Sequence, residues 1–416
     1  MRAMLRVLWV MFVAAIVLAP GRLQAGDWAE RYRAWHSTNE FRCFGNANSA
    51  NLAWWESYLL QSYLPMYAVT GDAHWLDRFV AHADTMFGVT SDAPGSGVYW
   101  PGYRDGFLGW GTTRYDPQGR YQEYMVHDGR ICLPVARFIR LVFEKPETYG
   151  RYQSRAQFYL ATIEQNVIAK WYRNWSVDRG GGEDLESFGG WRRLPVNQAL
   201  VFGELLTVLA DVAKSPLYHR AWPGLPDGFY AQAADSIAAT FKRGLLYHSA
   251  DDAYVWRYMP QGSAGQRWED LSHGDLDVSF ALEAYGQGRA FTRPDMVRFA
   301  HCLARTIWNG SSGHPRFARY VDGSGGPDST ANLRDWLRLA EFDPEVGRAV
   351  EQAYAANPDW SSPVRAGVQM ALTMAQLAEM EAASPAHARF HWSRDSRPGL
   401  VPPGDSALVP LGQSAR

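Results

Sequence analysis

The sequence predicts an all-α fold, a toroid of about five to seven helical hairpins with aromatic-rich loops and short β-hairpins. Three observations predict it. Long stretches repeat apolar residues at helical spacing, short turns join these stretches in pairs, and strand-like alternation is confined to pieces such as residues 98–103 and 254–259. One hairpin cannot bury its own apolar face, and closing several in a ring buries every face.

The N-terminus comes first. Arg2 and Arg6 precede an apolar run over 7–18, and Leu23-Gln24-Ala25 ends on a small residue before Gly26. That is the order of a secretory signal, with cleavage expected after Ala25 and release into the periplasm or outside. An uncleaved anchor is the alternative. The run is short for a spanning helix, and no other stretch is apolar enough, so no stable membrane span is expected after cleavage. The expected division is a signal peptide over 1–25, the toroid over 26–384 and a loosely ordered Pro/Ser-rich tail over 385–416.

The hairpins follow in order. Residues 52–67 and 75–87 form the first pair around the turn Thr70-Gly71-Asp72. Residues 129–143 with 152–171, 195–213 with 230–245, and 273–285 with 293–308 form the next three. A shorter fifth pairs 330–340 with 344–355, and a last helix over 363–382 has 29–35 as its candidate partner. The units share little sequence, so this is not an array of near-identical repeats. Long Gly-, Tyr- and Trp-rich loops cover 90–126, 176–194 and 255–272, where a helical scaffold carries function.

Composition narrows the function. The formal net charge is −2, which gives nucleic acid and anionic membrane no electrostatic hold. The 18 Trp and 21 Tyr supply flat faces with polar edges, suited to stacking on sugar rings as well as to filling a core. Cys43, Cys132 and Cys302 form no metal spacing; Cys132 and Cys302 lie in apolar patterns as free thiols, and a Cys43–Cys132 pair stays open. There is no HExxH, no acidic calcium loop, no phosphate-binding glycine loop and no GxSxG elbow, so neither metal nor cofactor is expected.

Several clusters can carry chemistry. In Trp268-Glu269-Asp270-Leu271-Ser272-His273-Gly274-Asp275-Leu276-Asp277, polar groups crowd the start of an apolar helix. Asp270 or Ser272 can cap that helix, and Asp277, four residues on from His273, can orient its imidazole. His127-Asp128 also precedes an apolar stretch, with Asp128 a plausible cap. Asn197 follows Pro195 in a first helical turn. Glu56 stands beside Trp54 and Trp55, and Trp256-Arg257-Tyr258 alternates so that Arg257 faces away from its neighbours.

Residues 51–58 (Asn51-Leu52-Ala53-Trp54-Trp55-Glu56-Ser57-Tyr58), with Thr70-Gly71-Asp72 and the stretch Glu269 to Gly274, resemble the (α/α) toroid carbohydrate-active proteins, of which alginate- and glucuronan-type polysaccharide lyases are the nearest. The resemblance implies a lyase that cuts an acidic, uronate-containing polysaccharide by β-elimination. Elimination needs a donor to neutralise the uronate carboxylate, a base for the C5 proton and an acid for the leaving oxygen. His127 and Asn197 are the expected neutralisers, with His273 and Tyr258 as base and acid. Trp54, Glu56, Trp110, Arg193, Arg257, Arg267, Trp268 and Asp277 are the expected substrate-binding residues. The alternatives are a glycoside hydrolase using paired carboxylates, a uronate C5-epimerase, or a polysaccharide-binding or secretion protein without catalysis.

Overall fold

The computed structural model describes residues 27–40, 48–90, 106–173, 194–260, 267–311, 313–328 and 332–383. The expected signal peptide and tail, Cys43, Arg193 and the strand expected at 98–103 lie outside them.

In chain order the elements are α1 (Trp28–Asn39), α2 (Ser57–Thr70), α3 (His74–Gly88), β1 (Gly111–Thr112), β2 (Gln122–Glu123), α4 (Met125–Glu144), α5 (Gln153–Thr162), α6 (Val196–Val212) and α7 (Phe229–Gly244). They continue with β3 (Leu246–His248), β4 (Ala253–Val255), α8 (Leu271–Gly286), α9 (Arg293–His301), α10 (Arg334–Leu337), α11 (Pro344–Ala356) and α12 (Val368–Ala383). Helices α2, α4, α6, α8, α10 and α12 each touch the next, and α12 touches α2, so these inner helices close a ring. Outside it, α3 packs on α2, α5 on α4, α7 on α6, α9 on α8, α11 on α10 and α1 on α12. The fold is an all-α toroid of hairpins, and the last inner helix pairs with the first helix of the chain. Because inner and outer helices alternate antiparallel, all inner N-termini share one end of the ring, the mouth.

Sequence explains the packing locally. Gly71, at φ 65°, ends α2 in the left-handed conformation that a β-carbon disfavours. Gly129 lets α4 approach α6, since a β-carbon there would lie 3.1 Å from the Phe202 Cα. Thr292 and Asp295 cap α9 reciprocally.

The interior of the ring is polar at its centre. Groups from four inner helices meet across the ring: Ser279 Oγ donates to Glu204 at 2.6 Å and to Asp335 at 3.0 Å, Arg137 pairs with Glu204, and Arg338 pairs with Asp335 at 3.2 Å. Val126, Val201 and Leu276, packed with Trp54 and Tyr124, cover this network on the mouth side. The ring is filled.

Two helices differ from expectation. The stretch 330–340 yields only α10 and a 3-10 turn over Arg338–Glu341. The last inner helix begins at Val368, because Ser362 turns the chain by accepting from the Val364 and Arg365 amides, while the Ala366 carbonyl is taken by Trp35. Cys132 and Cys302 are buried free thiols.

Candidate active site

Residues 256–258 and 267–269 run antiparallel at the mouth: Tyr258 donates its amide to the Arg267 carbonyl at 3.0 Å, and Glu269 donates to Trp256 at 3.1 Å. The Tyr258 carbonyl in turn accepts the Val196 amide at 2.8 Å, which fixes this ladder to the start of α6. On the other side Leu271 donates to Arg319 at 2.8 Å and Val321 to Glu269 at 3.0 Å. The start of α8 is thus clamped between two loops.

Asp270 is the N-cap of α8, accepting the His273 amide at 3.0 Å and the Ser272 hydroxyl at 2.7 Å. The His273 Nδ1 lies 2.8 Å from Asp270 Oδ2 and 3.4 Å from Glu269 Oε1. Burial opposes charge on His273, but the two carboxylates outweigh it and push its pKa up to about 10. Burial also opposes charge on Asp270, yet the His273 contact, the Ser272 hydroxyl and the His273 amide hold it well below the usual carboxylate range. Glu269 is fully buried, and burial raises its pKa despite His273. The two consecutive carboxyls are therefore driven apart, one toward the acid and one toward the anion.

Tyr258 completes this group. Its ring centroid is 5.7 Å from that of His273, and the Arg267 guanidinium sits 3.9 Å over its other partner face. Burial raises the Tyr258 pKa while Arg267 lowers it. Arg257 points away and stacks 3.4 Å over Trp268, in keeping with the alternation of the strand.

A second cluster sits across the mouth. Trp54 lies in a π-helical turn over Leu52–Glu56 that leads into α2. With Tyr115 and Tyr124 it surrounds the His127 ring at centroid distances of 5.7, 5.5 and 5.0 Å. The His127 Nδ1 meets Ser49 Oγ at 2.9 Å, and burial, with Arg114 nearby, lowers its pKa to about 3, so the imidazole is neutral. Tyr115 is 46% exposed and offers an open aromatic face. Asn197 is buried at the start of α6, with no partner for its Nδ2.

Other expected site residues lie elsewhere. Glu56 is buried and bonded to His82 Nδ1 at 2.6 Å, so it belongs to the α2–α3 contact. Trp110 is buried, and its indole N–H donates to the Met86 carbonyl at 3.0 Å, away from substrate. Asp277 is fully buried and accepts from Trp256 Nε1 at 2.7 Å; the carboxylates that orient His273 are Asp270 and Glu269 instead. The upward shift of the His273 pKa favours the imidazolium over the neutral ring that the expected base role needs. Asp128 is not a cap, since α4 begins at Met125; it accepts from Trp171 at 2.7 Å and pairs with Lys170 at 2.6 Å. Ser49, Tyr115 and Tyr124, which border the His127 ring, carry no local motif that marks them in the sequence.

Among the described residues, Glu269, Asp270 and His273 bring three ligand atoms within 4.8 Å of one another, the one grouping of metal-ligand type. No described helix is long and apolar enough to cross a membrane.

No protein-family profile matches the chain, and no curated protein matches it. Among solved structures, the chain is similar to an inactive variant, with two consecutive aspartates changed to asparagine, of the alpha-1,6-mannanase GH76A of Salegentibacter sp. HEL1_6 in complex with alpha-1,6-mannotriose. The identity is 11%, the TM-score 0.50, and the match covers 86% of this chain and 99% of that one. The likeness is one of fold, and it agrees with the (α/α) toroid architecture described above.

Proposed function

We propose that this chain is an exported glycoside hydrolase that binds an oligosaccharide across the toroid mouth and cleaves it beside α8. The carrying observation is the consecutive pair Glu269-Asp270, whose environments push the two carboxyls in opposite directions. Glycoside hydrolysis needs one carboxyl that keeps a proton and one that stays ionised. In this reading Asp270 supplies the negative charge that offsets the developing oxocarbenium ion, and burial shifts Glu269 toward its protonated form. His273, with 37% of its side chain exposed, gives a proton to the leaving oxygen as the glycosidic C–O bond breaks, and a water adds to the anomeric carbon and returns its proton to the imidazole. The mannanase of similar fold, inactive after loss of two consecutive aspartates and bound to a mannotriose, supports the same class of chemistry.

The aromatic group across the mouth suits the non-reacting sugar rings. Trp54 and Tyr115 offer stacking faces, while neutral His127 and the unpartnered Asn197 amide suit hydroxyl groups.

One observation favours elimination as a second reading. Tyr258 stands between the imidazolium of His273 and the guanidinium of Arg267. Those cations suit a uronate carboxylate, and Tyr258 suits transfer of the C5 proton. Incubation with α-1,6-mannan, alginate, glucuronan and pectate separates the two. New reducing ends without the ultraviolet absorbance of an unsaturated uronate support hydrolysis. A rise in that absorbance replaces it with elimination. Neither signal would point to an epimerase or a non-catalytic binder.

A further inference from the structure

The loop between α9 and α10 does two things. At Tyr320 it bridges to Asp270, and its Arg319 carbonyl accepts the Leu271 amide, so one edge of it borders the proposed catalytic group. Its other edge, with the chain that follows α11, borders a separate, half-open cavity of about 360 Å³. Both segments run from an outer helix to the next inner helix, so the cavity opens on the mouth end of the ring.

The lining has the chemistry of a sugar site. Trp360 supplies an aromatic face and is held edge-on against Tyr354 at 5.5 Å between centroids. Pro327 adds an apolar wall, while His314, Arg316, Asn357 and Asp328 supply polar groups around it. The Asn357 amide nitrogen is fixed on the Ala353 carbonyl at 2.8 Å, so that side chain is oriented before anything binds. The loop is stiffened by bridges between Trp308 and Phe317 and between Ala318 and Pro327, and by the Asn309–Arg316 backbone bond at 3.0 Å. Such a volume is at the small end of ligand pockets and holds roughly one or two sugar rings.

We infer that this cavity is an accessory saccharide-binding site, which grips one or two residues of the same polymer that the mouth receives. A chain held at both places dissociates only when both contacts open together, so a weak second site raises retention on polymer far more than on short oligomers. The inference stands whichever chemistry the catalytic group performs, because it concerns binding alone.

The test is native electrophoresis of the full chain through gels carrying α-1,6-mannan, alginate, glucuronan or pectate, with turnover of a short oligosaccharide measured in parallel. Trp360→Ala removes the aromatic face. The double variant His314→Ala/Arg316→Ala removes two exposed side chains and leaves the Trp360–Tyr354 packing intact. Both should lose roughly tenfold or more of the retention that the wild type shows on one polymer, with short-substrate turnover unchanged. Wild-type retention that neither variant reduces would overturn the inference, as would a wild type that no polymer retards. Loss of turnover in Asp270→Asn with retention intact would bear on the catalytic reading alone.

Discussion

The Nδ1 of His273 lies 2.8 Å from Asp270 Oδ2, and the same nitrogen faces Glu269 Oε1 at 3.4 Å, so one ring nitrogen stands between two carboxyls. The arrangement is local to the first turn of α8 and depends on Asp270 being its cap. Burial raises the pKa of Glu269, while the His273 contact and the cap bonds lower that of Asp270.

His273 should titrate far above an ordinary histidine. Its folded pKa near 10 exceeds the reference 6.5, so its contribution to stability is complete below about pH 6.5 and is lost as pH rises toward 10. NMR of the imidazole should show the charged form at pH 8. A neutral ring there would contradict the assignment. Activity should fall over the same alkaline range as the group loses its proton.

His127 behaves in the opposite sense. Its pKa near 3 lies below the reference 6.5, so the stability tied to the neutral ring is present above about pH 6.5 and is lost as pH falls toward 3. His127→Asn should flatten the acid limb of a plot of unfolding midpoint against pH. An unchanged limb would show that burial does not set this ring's charge.

Lys170 holds a buried triad. It pairs with Asp128 at 2.6 Å and with Glu123, all three fully buried. Lys170→Met should cost about 3–5 kcal/mol, because two carboxylates lose their counter-charge. Denaturant unfolding reads this directly. A loss below about 1 kcal/mol would mean that the carboxyls carry protons in the folded chain.

The aromatic group across the mouth should act on binding rather than turnover. Trp54→Ala and Tyr115→Ala should each raise KM by about tenfold or less with kcat nearly unchanged. A fall in kcat at constant KM would move these rings into the chemical step.

Much of the fold was legible because helical periodicity and turn residues are local signals. The Thr70-Gly71-Asp72 turn, the paired helices and the partnership of the last helix with residues 29–35 all follow from them. The ring's interior was not. Ser279, Glu204 and Asp335 look like surface polar residues in sequence, and only ring closure turns them toward one another. The site was half legible. The crowding of charge before α8 is a sequence signal that the structure gathers around His273, but Asp277 was taken by Trp256, whose reach across the ladder no helical spacing reveals. Asp128 read as a cap because α4 was expected to begin at 129; the helix starts at Met125, and Lys170 then claims its carboxylate.

The central claim is that Glu269 and Asp270 form an acid–anion pair that hydrolyses glycosidic bonds. The most direct measurement is product analysis of oligosaccharide digests by wild type, Glu269→Gln and Asp270→Asn, with circular dichroism to establish that each variant is folded. The account predicts new reducing ends from the wild type, no unsaturated product, and a loss of about a hundredfold or more in kcat for each folded variant. Unsaturated products, or folded variants with wild-type turnover, would contradict it.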